Sequence, residues 1–309
     1  MKKIPSDIQC PDCKSNNCDE FGKIPKTDVF AGRFLDEPLE SGSLYRCKKC
    51  ALGFRWPQLT KEALNTLYQQ GDDETWSVAT ATDRVDWQQA ESWLHARLSV
   101  GAKVLDVGCF DGEFLSLLGS KYGLFGIEIH KLASLRAEVK GIKIVAPDYE
   151  NISGTYDCVA SFDVIEHVRN PGDFLEACLN SVPTGGYVLI STGNFDAFAF
   201  KMQGAAYWYS TISEHVSFIS PQWFKLQSNR LNFDIEKIRL FSHSERRGVL
   251  VSIKETFLNV LYWLWPPSIG WLRRMGIGQR RFLKHKDLIN HPPSWFTAED
   301  HFMVLLKKS

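Results

Sequence analysis

The stretch Val104-Leu-Asp-Val-Gly-Cys-Phe-Asp-Gly-Glu-Phe-Leu115 joins an apolar strand pattern, a glycine-bearing loop and the start of a helical pattern. The predicted strand ends near Asp106, and the loop carries Gly108 and Gly112. Glycines let the backbone approach a ligand closely at the carboxyl edge of a parallel strand. The amino terminus of the following helix offers free N–H groups to an anionic group. The stretch therefore predicts a ligand-binding strand–loop–helix unit.

Short apolar runs alternate with helical patterns on both sides of this unit. Strands separated by helices in this way indicate a doubly wound α/β sheet with mostly parallel strands. The predicted strands are residues 103–107, 124–127, 142–145, 156–161, 187–191, 234–241 and 301–307. The predicted helices are residues 61–69, 84–99, 112–120, 131–139, 171–181 and 221–229.

The composition divides the chain into four segments. Residues 1–58 hold five of the eight cysteines and predict a small zinc-binding module. Residues 59–254 form the α/β core, and residues 297–309 return to it as its final strand. Residues 255–296 are rich in aromatic and basic side chains and interrupt the alternation. We interpret them as a helical insertion that serves as a lid, an interfacial element or a dimer contact. The alternative is that its aromatic side chains only pack over the core.

Charge and hydropathy narrow the class of protein. The formal net charge is zero, whereas a nucleic-acid binder usually carries a basic stripe. Only residues 273–286 are locally basic, so the composition speaks against a nucleic-acid partner. The first ten residues lack the apolar run of a secretory signal, and no apolar stretch is long and clean enough to span a bilayer. We therefore expect a cytoplasmic protein with reduced cysteines.

Three motifs resemble class I S-adenosylmethionine (SAM)-dependent methyltransferases, over roughly residues 84–250 and the final strand. The motifs are Asp106-Val-Gly-Cys-Phe-Asp-Gly112, Asp163-Val-Ile-Glu-His-Val168 and Thr184-Gly-Gly-Tyr-Val-Leu-Ile-Ser191. The resemblance implies a seven-stranded Rossmann-like methyltransferase sheet and SAM as the methyl donor. An NAD-dependent enzyme is the alternative, but the loop breaks the Gly-x-Gly-x-x-Gly dinucleotide turn.

The same resemblance implies a set of cofactor-binding residues at the carboxyl edge of the sheet. In chain order they are Asp106, Gly108, Cys109, Gly112, Glu128, Asp148, Phe162 and Asp163. Glu128 also stands about 20 residues after the first glycine, where an acid commonly accepts hydrogen bonds from ribose hydroxyls. Asp148 is expected to face the adenine, and Phe162 and Asp163 to close the pocket. Phe110 departs from the pattern, because glycine is commoner at its position.

Four cysteines form two Cys-x-x-Cys pairs near the amino terminus, Cys10 with Cys13 and Cys47 with Cys50. Each pair can bring two thiolates onto one tetrahedral zinc ion, and four sulfurs leave no open coordination position. We therefore predict a structural zinc site in a zinc-ribbon-like module. Cys18 is a spare thiol, and unliganded buried cysteines are the alternative interpretation.

The cysteine pairs resemble the zinc-binding module that precedes the methyltransferase domain in sugar C-methyltransferases of deoxysugar pathways. Leu44-Tyr-Arg-Cys-Lys-Lys-Cys50 and Phe54-Arg-Trp-Pro57 also fit that module. The resemblance implies that the module helps to wall the acceptor site and that the acceptor is a sugar. A zinc ribbon can also grip nucleic acid, although the neutral charge disfavours this.

An aromatic segment, residues 193–218, follows the fifth predicted strand of the core. Methyl transfer to oxygen or carbon requires removal of a proton, and aromatic faces suit a sugar or an aromatic ring. We predict His215 as the general base, with Tyr209 and Glu214 as helpers. The alternative is that His215 caps the helix near Pro221 or hydrogen-bonds the loop.

A metal-assisted mechanism is a second possibility. Asp163, Glu166, His167 and His215 resemble the set that binds a divalent metal in ubiquinone-pathway O-methyltransferases and small-RNA terminal 2′-O-methyltransferases. A hard cation can hold and acidify an acceptor hydroxyl. Glu-His after the fourth strand also occurs in methyltransferases without metal, so both interpretations remain open.

Four functional hypotheses follow from these patterns. The first is methyl transfer to a sugar, either nucleotide-linked or part of a surface polysaccharide. The second is O-methylation of a lipid or quinone-type precursor, with peripheral membrane contact through residues 257–274, whose aromatics precede basic residues. The third is a zinc-ribbon nucleic-acid methyltransferase, and the fourth is a non-enzymatic interaction module. The oligomeric state is left open.

Overall fold

The computed structural model describes residues 8–24, 27–30, 33–39, 42–69, 84–242, 248–277, 289–295 and 298–309. The amino-terminal strands are β1 (Cys18–Lys23), β2 (Thr27–Phe30), β3 (Arg33–Leu39), β4 (Ser43–Cys47) and β5 (Gly53–Trp56). The later strands are β6 (Lys103–Val107), β7 (Gly123–Ile127), β8 (Lys143–Ala146), β9 (Cys158–Phe162), β10 (Tyr187–Gly193), β11 (Ser217–Phe218), β12 (Phe233–Phe241) and β13 (His301–Lys308). The α-helices are α1 (Lys61–Gln69), α2 (Val85–His95), α3 (Glu113–Leu118), α4 (Lys131–Val139), α5 (Pro171–Asn180), α6 (Phe198–Gln203), α7 (Trp208–Thr211), α8 (Pro221–Leu231), α9 (Val249–Leu264) and α10 (Pro267–Arg274).

The predicted seven-stranded sheet is confirmed. Its strand order is β12-β13-β10-β9-β6-β7-β8, and only β13 runs antiparallel to its two neighbours. The chain runs outward from β6 to β8 on one side and restarts at β9 on the other. Ligands bind in such sheets at the carboxyl edge where the strand order reverses. The quoted loop after β6 lies at this switch point.

The central strands are apolar along nearly their whole length because helices cover both faces of the sheet. All five residues of β9 are buried, and so are the last six of β10. Such continuous burial fixes the strand ends firmly. Side chains at the carboxyl edge are therefore held on rigid supports.

The sheet of the amino-terminal module includes one strand, β11, that comes from the α/β core part of the sequence. Its sheet has the order β1-β4-β5-β11, and β11 pairs antiparallel with β5. Residues 217–218 thus complete a sheet whose other strands lie before residue 58. The module and the aromatic segment of the core are joined by backbone hydrogen bonds.

The described part of the predicted insertion contains helical residues of α9 and α10, and α9 begins ahead of residue 255 at Val249. The basic pattern suggested that Arg273 lies on the surface, but the structure does not place it there. It is buried and donates hydrogen bonds to the carbonyls of Ile289 and His291. Arg280, Arg281 and Lys284 lie outside the described residues. Within the described ranges, no helix has the length and apolarity needed to cross a membrane.

Candidate active site

The loop after β6 needs glycine at two positions. Gly108 has φ +79°, and a Cβ there would lie 2.4 Å from Val164 Cγ2. Gly112 has φ +80°, and a Cβ would lie 1.9 Å from Ile142 Cδ1. Both the left-handed backbone and the close packing exclude a larger residue. The loop backbone therefore packs closely against Val164 and Ile142.

Phe110 also adopts a left-handed conformation, with φ +47°. This conformation explains why glycine is commoner at the position, since a Cβ there costs conformational energy. The Arg136 guanidinium lies 5.3 Å from the centre of the Phe110 ring. The Phe110 N–H donates to Glu128 Oε2 at 2.8 Å. These contacts hold a strained turn in place.

Glu128 bridges the loop and the end of β7. Its Oε1 accepts from the His130 N–H at 2.7 Å, while Oε2 accepts from Phe110. Burial raises its pKa, although these backbone hydrogen bonds partly oppose the shift. An ionised carboxylate offers about four acceptor positions. The two hydrogen bonds therefore leave capacity for a pair of vicinal hydroxyls.

Asp106 is the most isolated acid at this edge. It is 2% exposed, and its Oδ1 has no hydrogen-bond partner among the described residues. Burial, and then the charge of Glu128, raise its pKa to about 8. A buried carboxylate oxygen without a partner is costly unless a ligand supplies one. The arrangement fits the ammonium group of a methionine moiety.

The other predicted cofactor residues occupy the same edge. Cys109 lies against Gly126, where an added Cβ would sit 2.4 Å from its Sγ. Asp148 follows the end of β8, and its Oδ1 accepts from Glu150 N and from Asn151 Nδ2. Phe162 is buried at the end of β9. The structure thus brings these side chains to neighbouring strand ends.

The start of α2 was predicted correctly from sequence, but the contacts that Arg84 makes there were not. Arg84 donates to Asp86 Oδ2 at 2.6 Å and to Asp163 Oδ2 at 2.7 Å, so it ties this helix to the end of β9. The Trp87 Nε1 donor is buried without a partner in the described part of the chain. Its ring lies 6.2 Å from that of Phe162. An Arg-x-Asp pair at the start of a helical pattern was the available signal.

Glu166 is the buried acid of the acceptor side. Its carboxylate accepts from the Thr192 hydroxyl at 2.8 Å and from the Tyr209 hydroxyl at 2.6 Å. Burial raises its pKa, and the charge of Asp163 adds to the shift. The Gly193 N–H in turn donates to the Tyr209 oxygen at 2.9 Å. Tyr209 is thereby committed to Glu166, with a pKa raised well above its usual value mainly by burial.

His215 lies beside His167, with ring centres 4.9 Å apart. Its Nδ1 is 2.8 Å from the Tyr209 carbonyl oxygen, which can only accept, so Nδ1 carries the proton. Burial, followed by His167, lowers the pKa of His215 well below its usual value. The neutral ring then presents an unprotonated Nε2. The helix at Pro221 is capped by Ser220, whose hydroxyl accepts from Trp223 N.

Glu166, His167 and His215 form a compact donor set. One ligand atom from each lies within 4.8 Å of the others. His167 Nδ1 is 2.8 Å from the Tyr68 hydroxyl, so a residue of α1 helps to orient this set. Glu214 is also buried in this region, and it accepts from Ser213 Oγ at 2.9 Å.

An aspartate–histidine pair at this edge was not predicted from the sequence. His301 starts β13, opposite Gly193, and its Nδ1 is 2.9 Å from Asp300 Oδ1. Burial alone would lower the pKa of His301, but Asp300 raises it above the usual value. The ring of Tyr209 lies 5.5 Å away. No short-range pattern marks this pair, since β13 closes the sheet from the far end of the chain.

The four predicted zinc ligands converge in the amino-terminal module. Cys10 Sγ is 3.5 Å from Cys50 Sγ, and Cys13 Sγ is 3.5 Å from Cys47 Sγ. All four sulfurs lie within 4.8 Å of one another. Tetrahedral zinc with Zn–S bonds of about 2.3 Å separates sulfurs by about 3.8 Å. Cys18 is not a member of this cluster.

The seven-stranded sheet has the strand order of a SAM-dependent methyltransferase. The glycine loop after β6 and the acidic residue Glu128 at the end of β7 lie at its switch point, as expected for this class of enzyme. Residues 83–238 match the family model described as a methyltransferase domain, and the chain belongs to that family.

Curated relatives match a part of the chain. The ubiquinone biosynthesis O-methyltransferase of Burkholderia lata is 35% identical over 140 residues, which are 40% of this chain and 57% of the relative. The protein of that name from Ralstonia nicotianae is 26% identical over 197 residues, which are 58% of this chain and 80% of the relative. The chain thus spans only 57% of the length of the first of these relatives.

Among solved structures, a chain of the Haloferax volcanii complex between the Trm112 methyltransferase activator and a methyltransferase superposes with a TM-score of 0.50. It shares 13% identity, and the match covers 81% of this chain and 99% of that one. At this identity the likeness shows the fold alone.

Proposed function

We propose that the protein transfers the methyl group of SAM to a hydroxyl oxygen of a small organic acceptor. The observation that carries the proposal is the donor set of Glu166, His167 and His215 at the carboxyl edge beside the SAM loop. Relatives named ubiquinone biosynthesis O-methyltransferase support oxygen as the accepting atom. The sugar acceptor remains a prediction, because the names of these relatives give no support for a sugar.

The donor set suits a divalent cation. It combines one carboxylate with two imidazoles, and the proton on His215 Nδ1 directs the Nε2 lone pair toward a ligand. A cation bound there would lower the pKa of an acceptor hydroxyl. Neutral histidine is the ligating form, so the lowered pKa of His215 is compatible with ligation.

The protein's own groups then position the two reactants. Methyl transfer from a sulfonium is an in-line displacement, so alignment and exclusion of water supply much of the rate. Tyr209 acts as a positioning residue, because it holds Glu166 through its hydroxyl and His215 through its carbonyl. Asp106 and Glu128 bind the methionine and ribose parts of SAM.

The cysteine cluster is proposed to hold a structural zinc ion. Four sulfurs at tetrahedral spacing support this assignment, since they leave no position for a substrate. Arg55 of the same module donates to the carbonyl oxygens of Ser210, Ile212 and His215. The module therefore supports the acceptor segment directly.

The test is methyl transfer from carbon-13-labelled SAM to a panel of catechols, prenylated phenols and nucleotide sugars. A methoxy carbon signal on a hydroxylated acceptor, lost on chelation and restored by Mg²⁺, is the expected result. A carbon-bound methyl on a sugar would overturn the proposal. His215→Ala should lower kcat by about 100-fold or more and leave SAM affinity unchanged.

A matched variant separates ligation from general-base catalysis. His130→Ala removes a histidine that lies near Glu128, outside the donor set. It should leave the Mg²⁺ concentration needed for half-maximal activity unchanged, whereas His215→Ala should raise it. Equal Mg²⁺ dependence in both variants would contradict the cation site.

A further inference from the structure

Helix α9 has its polar side inward and its apolar side outward. Asn259 is fully buried, and its side chain hydrogen-bonds Gln203 of α6. Glu255, one turn earlier on the same face, is also buried. The opposite face carries exposed apolar residues at every third or fourth position. These are Leu250, Ile253, Phe257, Val260 and Leu264.

The exposure continues through the following turn and α10. Leu250 is 83% and Phe257 is 65% exposed. The further exposed apolar residues are Val249, Trp263, Trp265, Trp271, Met275 and Ile277. These residues and the α9 stripe together form the α9–α10 face. So many large exposed apolar side chains along two consecutive helices are typical of a binding surface.

The charges and aromatics of this face indicate what it binds. Lys254 and Arg274 are exposed beside it, whereas the one acid between residues 249 and 277, Glu255, is buried. The exposed surface is therefore apolar and cationic. Three tryptophans lie on it, and tryptophan combines an apolar ring with an N–H that suits the headgroup region. An anionic lipid surface complements all three properties.

We infer that the α9–α10 face binds the surface of an anionic lipid bilayer, with α9 lying in the plane of the interface. The polar contacts of Asn259 and Gln203 hold the helix on α6, which follows β10 at the acceptor edge. The acceptor segment is thereby placed next to the bilayer. Membrane binding needs no SAM or acceptor, so its test is independent of the proposed reaction.

The test is flotation of the full-length protein with vesicles of phosphatidylcholine, alone or with phosphatidylglycerol. We expect flotation with the anionic vesicles and weaker flotation with the neutral ones. Leu250→Glu combined with Phe257→Glu should lower the vesicle partition coefficient by about tenfold or more. Lys254→Gln combined with Arg274→Gln should lower it on the anionic vesicles only.

The control is Leu132→Glu combined with Leu135→Glu on α4, where two exposed leucines are again spaced along one helix. This variant should float like the original protein. SAM binding by titration calorimetry verifies that each variant is folded. If the original protein stays off both vesicle types, the inference is overturned. It is also overturned if light scattering shows a dimer that does not float and that becomes a monomer on combining Leu250→Glu with Phe257→Glu.

Discussion

Asp106 should couple SAM binding to pH. Its pKa of about 8 lies above that of an unfolded aspartate, so the neutral carboxyl stabilises the cofactor-free protein at low pH. That contribution is lost as pH rises through about 8, when the buried group ionises. The SAM ammonium favours the ionised carboxylate. We therefore expect SAM affinity to rise from about pH 6 to about pH 8, a range in which the α-amino group of SAM, with a pKa of about 8, is still at least half protonated.

The measurement is titration calorimetry of SAM over this pH range with Asp106→Asn and Asp111→Asn. Asp111 lies in the same loop and pairs with Lys140 at 2.9 Å. Asp111→Asn, which keeps Asp106, reports the pH dependence expected of the original site. Asp106→Asn should bind SAM at least about tenfold more weakly at the upper pH and lose the difference at the lower pH. A parallel pH dependence in all three proteins would refute the coupling.

Some side chains at this edge could be read from local sequence and others could not. The short motif around Gly108 and Gly112 already predicts close approach of the backbone there, whereas their left-handed conformation is a finding of the structure. The hydrogen bond from Arg84 to Asp163 joins residues 79 positions apart, and no local pattern encodes such a pairing. Phe110 was visible as a departure from the motif, but its strain and its contact with Arg136 required coordinates.

The turn from Cys10 to Cys13, which we call the knuckle, packs against two helices of the core. Asp12, inside this knuckle, has a side chain only 4% exposed. It accepts from Trp223 Nε1 at 2.8 Å and from Gln227 Nε2 at 2.6 Å, both on α8. A Cβ on Gly172 of α5 would lie 2.1 Å from Asp12 Oδ1, so the knuckle fits tightly between two helices.

We expect Asp12→Ala to lower the free energy of unfolding by about 2–3 kcal/mol, because it leaves two donors without a partner. Asp19→Ala is the matched control. Asp19 is 63% exposed and pairs with Lys48, so its loss should cost less than about 0.5 kcal/mol. Urea unfolding of both variants measures the difference. Equal midpoints would show that the knuckle is not held through Asp12.

Elements with a strong period were predicted well from sequence. The predicted strand over residues 103–107 and helix over residues 131–139 match the structure at both ends. β11 was missed because it has two residues and exists only through its pairing with β5. The predicted insertion begins at residue 255, six residues after the start of α9. The exposed face of α9 is apolar, so the helix lacks the usual amphipathic pattern that marks where a helix begins.

Across the whole molecule, the amino-terminal module and the acceptor segment form one continuous structure. Arg55 of β5 is buried against the carbonyls that precede and include His215. Burial lowers the pKa of Arg55 to about 10, and the charge of Glu214 opposes the shift. Tyr68, just beyond the module, orients His167. Loss of the module should therefore disturb the acceptor side. It should affect the SAM loop less, because that loop follows β6 of the seven-stranded sheet.

This division predicts a selective effect of removing the proposed zinc ion. Cys13→Ser should release the metal, because three remaining thiolates leave the tetrahedron incomplete. We expect hydrogen exchange to increase in residues 8–58 and around residues 210–218, with kcat for the acceptor lowered about tenfold or more. The dissociation constant of SAM should change less than about twofold, because the loop after β6 makes its contacts within the core sheet.

Cys18→Ser is the matched control for this experiment, since Cys18 is buried in the same module but lies outside the four-sulfur cluster. It should retain one zinc per chain by elemental analysis and keep the original exchange pattern. Substitution is preferable to chelation, which would also remove the cation proposed at Glu166, His167 and His215. A Cys13→Ser protein that binds the acceptor and turns over normally would show that the module does not support the acceptor site. Equal loss of SAM binding would show instead that the two halves of the site fold as a single unit.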